Sequence, residues 1–326
     1  MQKRRVGPFE VSAIGLGCMS LSHAYGPPPP REQAEQVLLG ALDAGYTFLD
    51  TAAVYGLGHN ERLIGDVLKS KRNSFVLASK CGMTDGEQRD LNGSPDRLKK
   101  TCDESLARLG VEVIDLYYLH RWDKRVPIEE SVGALADLVK QGKIRSIGLS
   151  EVSAQTLRRA HAVHPIAALQ TEYSPWTRNP EIAVLDACRE LGVAFVAFSP
   201  VGRGFLAGGV RNTADLHPGD FRTGMPRFQG EAFQANLKLL DRFSALAKEA
   251  DCTPAQLCLA WLLRKDPIIV PIPGTTRPDH MRENAGAAGV SLSAEIVAKL
   301  EAAVNANTVS GPRYAPAMQA TVDTEG

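Results

Sequence analysis

The chain has 326 residues, 44% of them apolar and 6% aromatic, and its 37 Lys plus Arg balance 37 Asp plus Glu to a net charge of zero. That length fits two modest domains or one large α/β barrel. The neutral balance argues against a nucleic-acid or polybasic membrane-surface role, since either needs a field of one sign, and no apolar run approaches the ~20 residues that span a bilayer.

The first residues, MQKRRVGPFEV, carry basic groups with no hydrophobic stretch behind them, unlike a secretory signal. Six cysteines (Cys18, Cys81, Cys102, Cys188, Cys252 and Cys258) show no CxxC spacing. A cytoplasmic protein with reduced thiols is expected, although the even count leaves disulfides open.

Up to about Ser12 the sequence predicts a small hairpin with a Gly7-Pro8 turn. Eight strand-like runs follow: AIGLGC from Ala13, YTFLD from Tyr46, FVLASK from Phe75, DLYYLH from Asp115, IRSIGLS from Ile144, ALQTEY from Ala168, VAFVAFSP from Val193 and IIVPIPG from Ile268. Between them lie helical patterns. REQAEQVLLGALDAG stops at Gly45, and SPDRLKKTCDESLARLG has Ser94 placed as N-cap, Pro95 as first helical residue and Gly110 as terminator. PIEESVGALADLVKQG runs from proline to glycine, and SAQTLRRAHAV starts on Ser153.

Alternating strands and helices imply parallel strands with right-handed crossovers, and eight such units close into a barrel. The strands are continuous apolar runs, as suits a parallel sheet buried on both faces. The expected fold is therefore α/β: one (β/α)8 TIM barrel domain over residues 1–326. It has an N-terminal β-hairpin and a long loop after strand seven (residues 201–230), then a helical pair (231–250 and 253–265) before strand eight. Residues 306–326 form an irregular C-terminal tail.

Polar residues at the C-terminal ends of barrel strands are where catalysis sits. The second, third and fourth strand candidates end in Asp50, Lys80 and His120, and Tyr55 follows Asp50 in a small-residue loop, TAAVYG. Asp is depleted in strands, and a buried carboxylate needs a cation to meet it. A phenol, with its ordinary pKa of ~10, is a poor acid at neutral pH. An adjacent ammonium, held charged by a carboxylate, is expected to lower that value, and an imidazole can orient a carbonyl oxygen beside the phenol. Such a site protonates an oxygen that turns negative as its carbon receives a hydride, and it needs no metal. His161 and His164, on a predicted helix without an acid or thiol partner, do not suggest one.

The set GYTFLDTAAVYG, LASK, DLYYLH, GLSE, QTEYS, SPVGRGFL and IPGTT…EN resembles the aldo-keto reductases, in their long-chain bacterial and plant branch, over about residues 15–284. The resemblance implies a tetrad of Asp50, Tyr55, Lys80 and His120, with Tyr55 as general acid and His120 orienting the substrate carbonyl. It also implies NADPH/NADP+ extended across the barrel mouth without a Rossmann fold. Ser150 and Gln170 would then meet the nicotinamide carboxamide, and Phe198 would offer the ring a flat face where relatives more often have tyrosine. Ser199, Pro200, Gly202, Arg203 and Gly204 would serve the pyrophosphate, Arg203 as charge partner. Thr275, Thr276 and Arg277 open a helix whose N-terminus favours phosphate, with Arg277 for the 2′-phosphate and Glu283 and Asn284 for the adenine. Glu151 stands where the family's asparagine follows the strand-five serine, so it receives no carboxamide contact.

GRGFLA at Gly202 spells GxGxxA, yet neither the immediate helix nor the acid-terminated next strand of a Rossmann fingerprint follows, and GLGHNE at Gly56 fails at Glu61. Loop aromatics Tyr25, Trp122, Trp176 and Phe228 suggest a partly aromatic cleft for an aldehyde or ketone, a small-molecule partner. Two rival readings remain: a lyase forming a Schiff base on Lys80, and a non-catalytic subunit that binds NADPH and senses redox state.

Overall fold

A computed structural model describes residues 1–84 and 90–325. Strands β1 (Lys3–Val6) and β2 (Phe9–Ser12) pair antiparallel across the predicted Gly7-Pro8 turn. Gly7 adopts a φ of +54°, and a Cβ there would come within 2.6 Å of the Ala167 Cβ. The hairpin can therefore press against the barrel floor only with glycine at its tip. Val6 and Val11 join Phe48, Leu116, Val196 and Val270 in one apolar cluster, so the hairpin plugs the barrel interior from its N-terminal end.

Eight parallel strands follow in strict sequence order: β3 (Leu16–Gly17), β4 (Phe48–Asp50), β5 (Val76–Cys81), β6 (Ile114–Leu119), β7 (Ile144–Ser150), β8 (Ile166–Glu172), β9 (Ala194–Phe198) and β10 (Ile269–Pro271). The Gly15 amide donates to the Pro271 carbonyl (2.9 Å) and the Gly17 amide to that of Pro273 (3.1 Å), closing first strand onto last. A Cβ at Gly17 would lie 2.7 Å from the Ile272 carbonyl oxygen, and one at Gly274 would lie 2.9 Å from that of Gly17. Glycine on both sides is what lets the seam close.

Helices α1 (Arg31–Asp43), α2 (His59–Leu68), α3 (Pro95–Leu109), α4 (Ile128–Lys140), α5 (Ala154–Val163) and α6 (Val184–Leu191) cover the outside of the sheet. The larger apolar core lies between this layer and the strands. Ser153 caps α5 by accepting from the Thr156 amide. Ser94 holds the predicted cap position of α3, but its hydroxyl donates to Asn92 Oδ1 (2.7 Å) and leaves the helix amides alone. The expected pair α7 (Gly230–Glu249) and α8 (Pro254–Lys265) precedes β10, with a capping box between Thr253 and Gln256. After β10 come α9 (Pro278–Gly286), α10 (Ala294–Ala303) and the four-residue α11 (Pro316–Gln319). Among the described residues no helix is long and apolar enough to cross a membrane.

Candidate active site

Asp50 and Lys80 lie at the C-terminal ends of β4 and β5, and His120 follows the last residue of β6. Adjacent parallel strands in register bring these positions to one rim. Lys80 Nζ donates to Asp50 Oδ1 in a short contact, to the Thr51 carbonyl (2.7 Å) and to the Tyr55 hydroxyl (3.2 Å). Those are as many acceptors as an ammonium has protons. Burial pulls the Lys80 pKa down, but Asp50 and Tyr55 outweigh it and the group stands above its ordinary value. Burial pushes Asp50 above its ordinary value, and Lys80 and Gln170 draw it back only in part. With Gln170 Nε2 donating to Oδ2 (2.7 Å) and Lys80 donating to Oδ1, both oxygens face donors, as a carboxylate's must.

The loop carrying Tyr55 is pinned to the rim. The Thr51 amide donates to Ala78 (2.9 Å), that of Ala53 to Lys80 (3.2 Å) and that of Asn60 to the Tyr55 carbonyl (3.2 Å). Asn60, fully buried, accepts from the Thr51 hydroxyl (2.6 Å) and donates to the Cys18 carbonyl (2.8 Å) and Ser22 Oγ (2.7 Å). Glu61, also buried, accepts from Ser79 Oγ and Arg108 Nε, both at 2.6 Å. The segment GLGHNE is thus a brace for the tyrosine loop. The Tyr55 ring meets the His120 ring edge-on at 5.8 Å between centroids, and the His23 ring lies 5.5 Å away.

One expectation is corrected here: the Tyr55 phenol lies above, not below, its ordinary pKa. Burial raises it by more than the nearby Lys80 ammonium lowers it, and the Asp50 charge raises it further. Lys80's positive charge is largely committed to Asp50, so little of its field is left to outweigh desolvation.

The remaining predicted positions are spread around the mouth. Ser150 ends β7, and its hydroxyl oxygen accepts from Arg121 Nη1 (2.9 Å). Phe198 ends β9 with its ring half-buried. Beyond it Ser199, Gly202, Arg203 and Gly204 take φ values of +48°, +59°, +58° and +83°, and Pro200 is buried. Thr275, Thr276 and Arg277 lead into α9. The Arg277 guanidinium sits on Asp279 (Nε to Oδ1, 3.1 Å), and its amide donates to Thr275 Oγ1 (3.0 Å). On α9, Asn284 is buried and the Glu283 carbonyl accepts from Gln256 Nε2 (3.0 Å).

Arg203 is not placed as an open phosphate partner. Its Nη2 pairs with Glu172 in a short contact and donates to the Tyr314 hydroxyl (2.9 Å), and the residue is 7% exposed. Glu151, at a φ of +56°, accepts from Arg313 (Nη1, 3.2 Å) and from the Glu172 amide (3.0 Å), while its carbonyl accepts from the Asp323 amide (2.9 Å). The Glu151 carboxylate therefore anchors the C-terminal tail. Trp176 and Phe228 are also not cleft residues: both are buried under the long loop, Trp176 stacked on Phe205 at 4.4 Å between centroids. Tyr25 and Trp122 remain partly exposed, Tyr25 against Phe221 at 5.0 Å. Sequence reasoning missed His23, Arg121, Arg313 and Tyr314; of these only Arg121, directly after the strand-end His120, carried a signal that could have found it.

A buried carboxylate–ammonium–phenol chain with an imidazole beside the phenol stands at the C-terminal mouth of a (β/α)8 barrel, an arrangement chemically able to pass a proton to an oxygen placed at the phenol. The family model of the Aldo/keto reductase family matches residues 13–305. The chain is 45% identical over 322 residues to the NADP(+) aldo-keto reductase yakc of Schizosaccharomyces pombe, covering 96% of this chain and 94% of that protein. It is likewise 45% identical over 309 residues to the probable aldo-keto reductase 1 of Glycine max, covering 94% and 89%. The solved structure of the glycerol dehydrogenase AKR11B4 from Gluconobacter oxydans superposes with a TM-score of 0.85 at 28% identity, covering 95% of this chain and 97% of that one. This chain belongs to the aldo/keto reductase family, and it is an oxidoreductase.

Proposed function

We propose that the protein reduces an aldehyde or ketone to the alcohol, reversibly, with NADPH as reductant and Tyr55 as the proton donor. The observation that carries this reading is the chain Asp50–Lys80–Tyr55, with Lys80 Nζ 3.2 Å from the phenol oxygen and His120 edge-on to the ring. A buried phenol above its ordinary pKa keeps its proton through neutral pH, and it is still a far stronger acid than the alcohol formed when it protonates the alkoxide. The phenolate left behind would form beside an ammonium already in place, so the stabilisation appears where charge develops and needs no reorganisation. His120 would orient the carbonyl oxygen toward the phenol.

The residues at the mouth suit a dinucleotide. Among the described residues the amides of Val201, Arg203 and Gly204 meet no acceptor, in a loop with consecutive left-handed residues, which is the backbone form that gathers N–H groups around an anion. Arg203 Nε is buried without a hydrogen-bond partner, so this residue would serve a diphosphate through Nε and its amide. Ser150 and Gln170 would hold the carboxamide, and Phe198 would face the ring. Ser199, Pro200, Gly202 and Gly204 would line the diphosphate, Thr275, Thr276 and Arg277 the 2′-phosphate, and Glu283 and Asn284 the adenine. Bound there, the cofactor supplies the hydride.

Lys80 is enclosed and held as an ammonium by three oxygens, which argues against a Schiff base on it. The test is Tyr55→Phe. Reduction of an aldehyde panel should fall by about 10²–10⁴-fold while NADPH still binds by fluorescence titration. Undiminished turnover would remove the acid assignment, and tight NADPH binding by the unmodified protein with no turnover on any carbonyl would favour a redox-sensing role.

A further inference from the structure

We infer that Arg121 is a substrate-specificity residue, and that the carbonyl compound this enzyme prefers carries a carboxylate a few bonds from the carbonyl. The inference rests on the reductase reading and names its substrate class. Arg121 follows His120 directly, and its Nη1 donates to the His120 carbonyl (2.6 Å) and to Ser150 Oγ (2.9 Å). Both contacts use one nitrogen. Among the described residues the Nε and Nη2 hydrogens meet no acceptor, and together they form the edge of a guanidinium that grips a carboxylate through two parallel bonds.

The other cations of the mouth are already answered. Lys80 is paired with Asp50, Arg203 with Glu172 and Arg313 with Glu151. Arg227 is turned to the long loop and the tail, its Nε donating to the Gly311 carbonyl and its Nη1 to the Trp176 carbonyl and the Thr177 hydroxyl. Arg121 is half-buried and has no carboxylate partner among the described residues, yet its charge is near enough to draw on the Tyr55 phenol. It also stands at the ends of β6 and β7, across the mouth from the loops after β9 and β10 that suit the cofactor phosphates. An anion on Arg121 would therefore belong to the molecule whose carbonyl lies between Tyr55 and His120. The bonds to the His120 carbonyl and Ser150 pin the guanidinium, so the specificity is built in before substrate arrives.

The test compares 4-oxobutanoate with butanal, which matches its chain but lacks the charge, in the unmodified enzyme, Arg121→Met and Arg121→Lys with NADPH. The unmodified enzyme should favour the acid in kcat/KM. In Arg121→Met the acid-to-neutral ratio should fall on the order of ten- to a hundredfold through KM, as loss of a charge-assisted pair does, and Arg121→Lys should restore part of it. A merely structural role would depress both substrates alike and leave the ratio unchanged, and that result, or a preference for butanal at the outset, overturns the inference. Calorimetric binding of succinate to the NADP+-loaded protein gives a readout without turnover. Succinate affinity that Arg121→Met leaves intact also overturns it. Arg121-dependent succinate binding with neither aldehyde reduced would uphold the anion site while sinking the reductase reading.

Discussion

Two buried charge networks share the barrel rim and are put to opposite uses. Over β4 to β6, Asp50 and Lys80 form an ion pair whose remaining hydrogen bond reaches a phenol facing two imidazoles. Over β7 to β9, Glu151 and Glu172 pair with Arg313 and Arg203, and Tyr314 closes the set. Both bury carboxylates beside cations, and both include a tyrosine whose pKa burial raises. In the first the tyrosine belongs to a loop pinned at the rim, and on the proposed reading its proton passes to the substrate. In the second the tyrosine and one arginine come from the tail, so Glu151 and Glu172 work through their arginines to hold the chain's end in place.

The widest separation between the two networks should come from Lys80→Met. Reduction should fall about 10³-fold or more, and stability should drop by about 3–5 kcal/mol because Asp50 is left buried and uncompensated. The double variant Asp50→Leu with Lys80→Met should recover most of that stability in denaturant titration and none of the activity. If the single variant kept its activity, the first network would be as structural as the second.

Glu172→Gln should cost about 3 kcal/mol and expose residues 306–325 to protease. The same tail should loosen with acid. Burial pushes the Glu172 carboxyl up, but Arg203, Arg313 and Arg227 together hold it below its ordinary range. A depressed carboxylate stabilises fully above its unfolded pKa of ~4.3 and loses that contribution as the pH falls through the lower folded value. Tail cleavage that rises near neutral pH would contradict this. The smallest effect belongs to Arg277→Ala, at an exposed residue: NADPH affinity should weaken about tenfold with little change for NADH, read by fluorescence titration of each.

The barrel was legible because a parallel strand buried on both faces shows as an unbroken apolar run, and three of those runs stop at Asp50, Lys80 and His120. Their convergence follows from strand order alone. What packing decides could not be read. Glu151 and Arg313 are 162 positions apart, and nothing local links them. Arg203 followed a glycine and looked free for phosphate until Glu172, from the neighbouring strand, claimed its charge. Trp176 and Phe228 carry the same signal whether they line a cleft or fill the space under a loop. Helix α2 was hidden behind Gly56 and Gly58, so Asn60 and Glu61 looked like a failed fingerprint when they are the brace of the loop that carries Tyr55. The direction of the Tyr55 shift turned on burial, which belongs to the folded molecule.

The glycine seam also bears on how the chain is made. Strand β3 leaves the ribosome early and its last partner late, so the nascent sheet stays an open ribbon with two bare edges until the segment around Gly274 emerges. Through most of synthesis those edges are available to other chains. Only ring closure, which no side chain at Gly17 or Gly274 would permit, hides them.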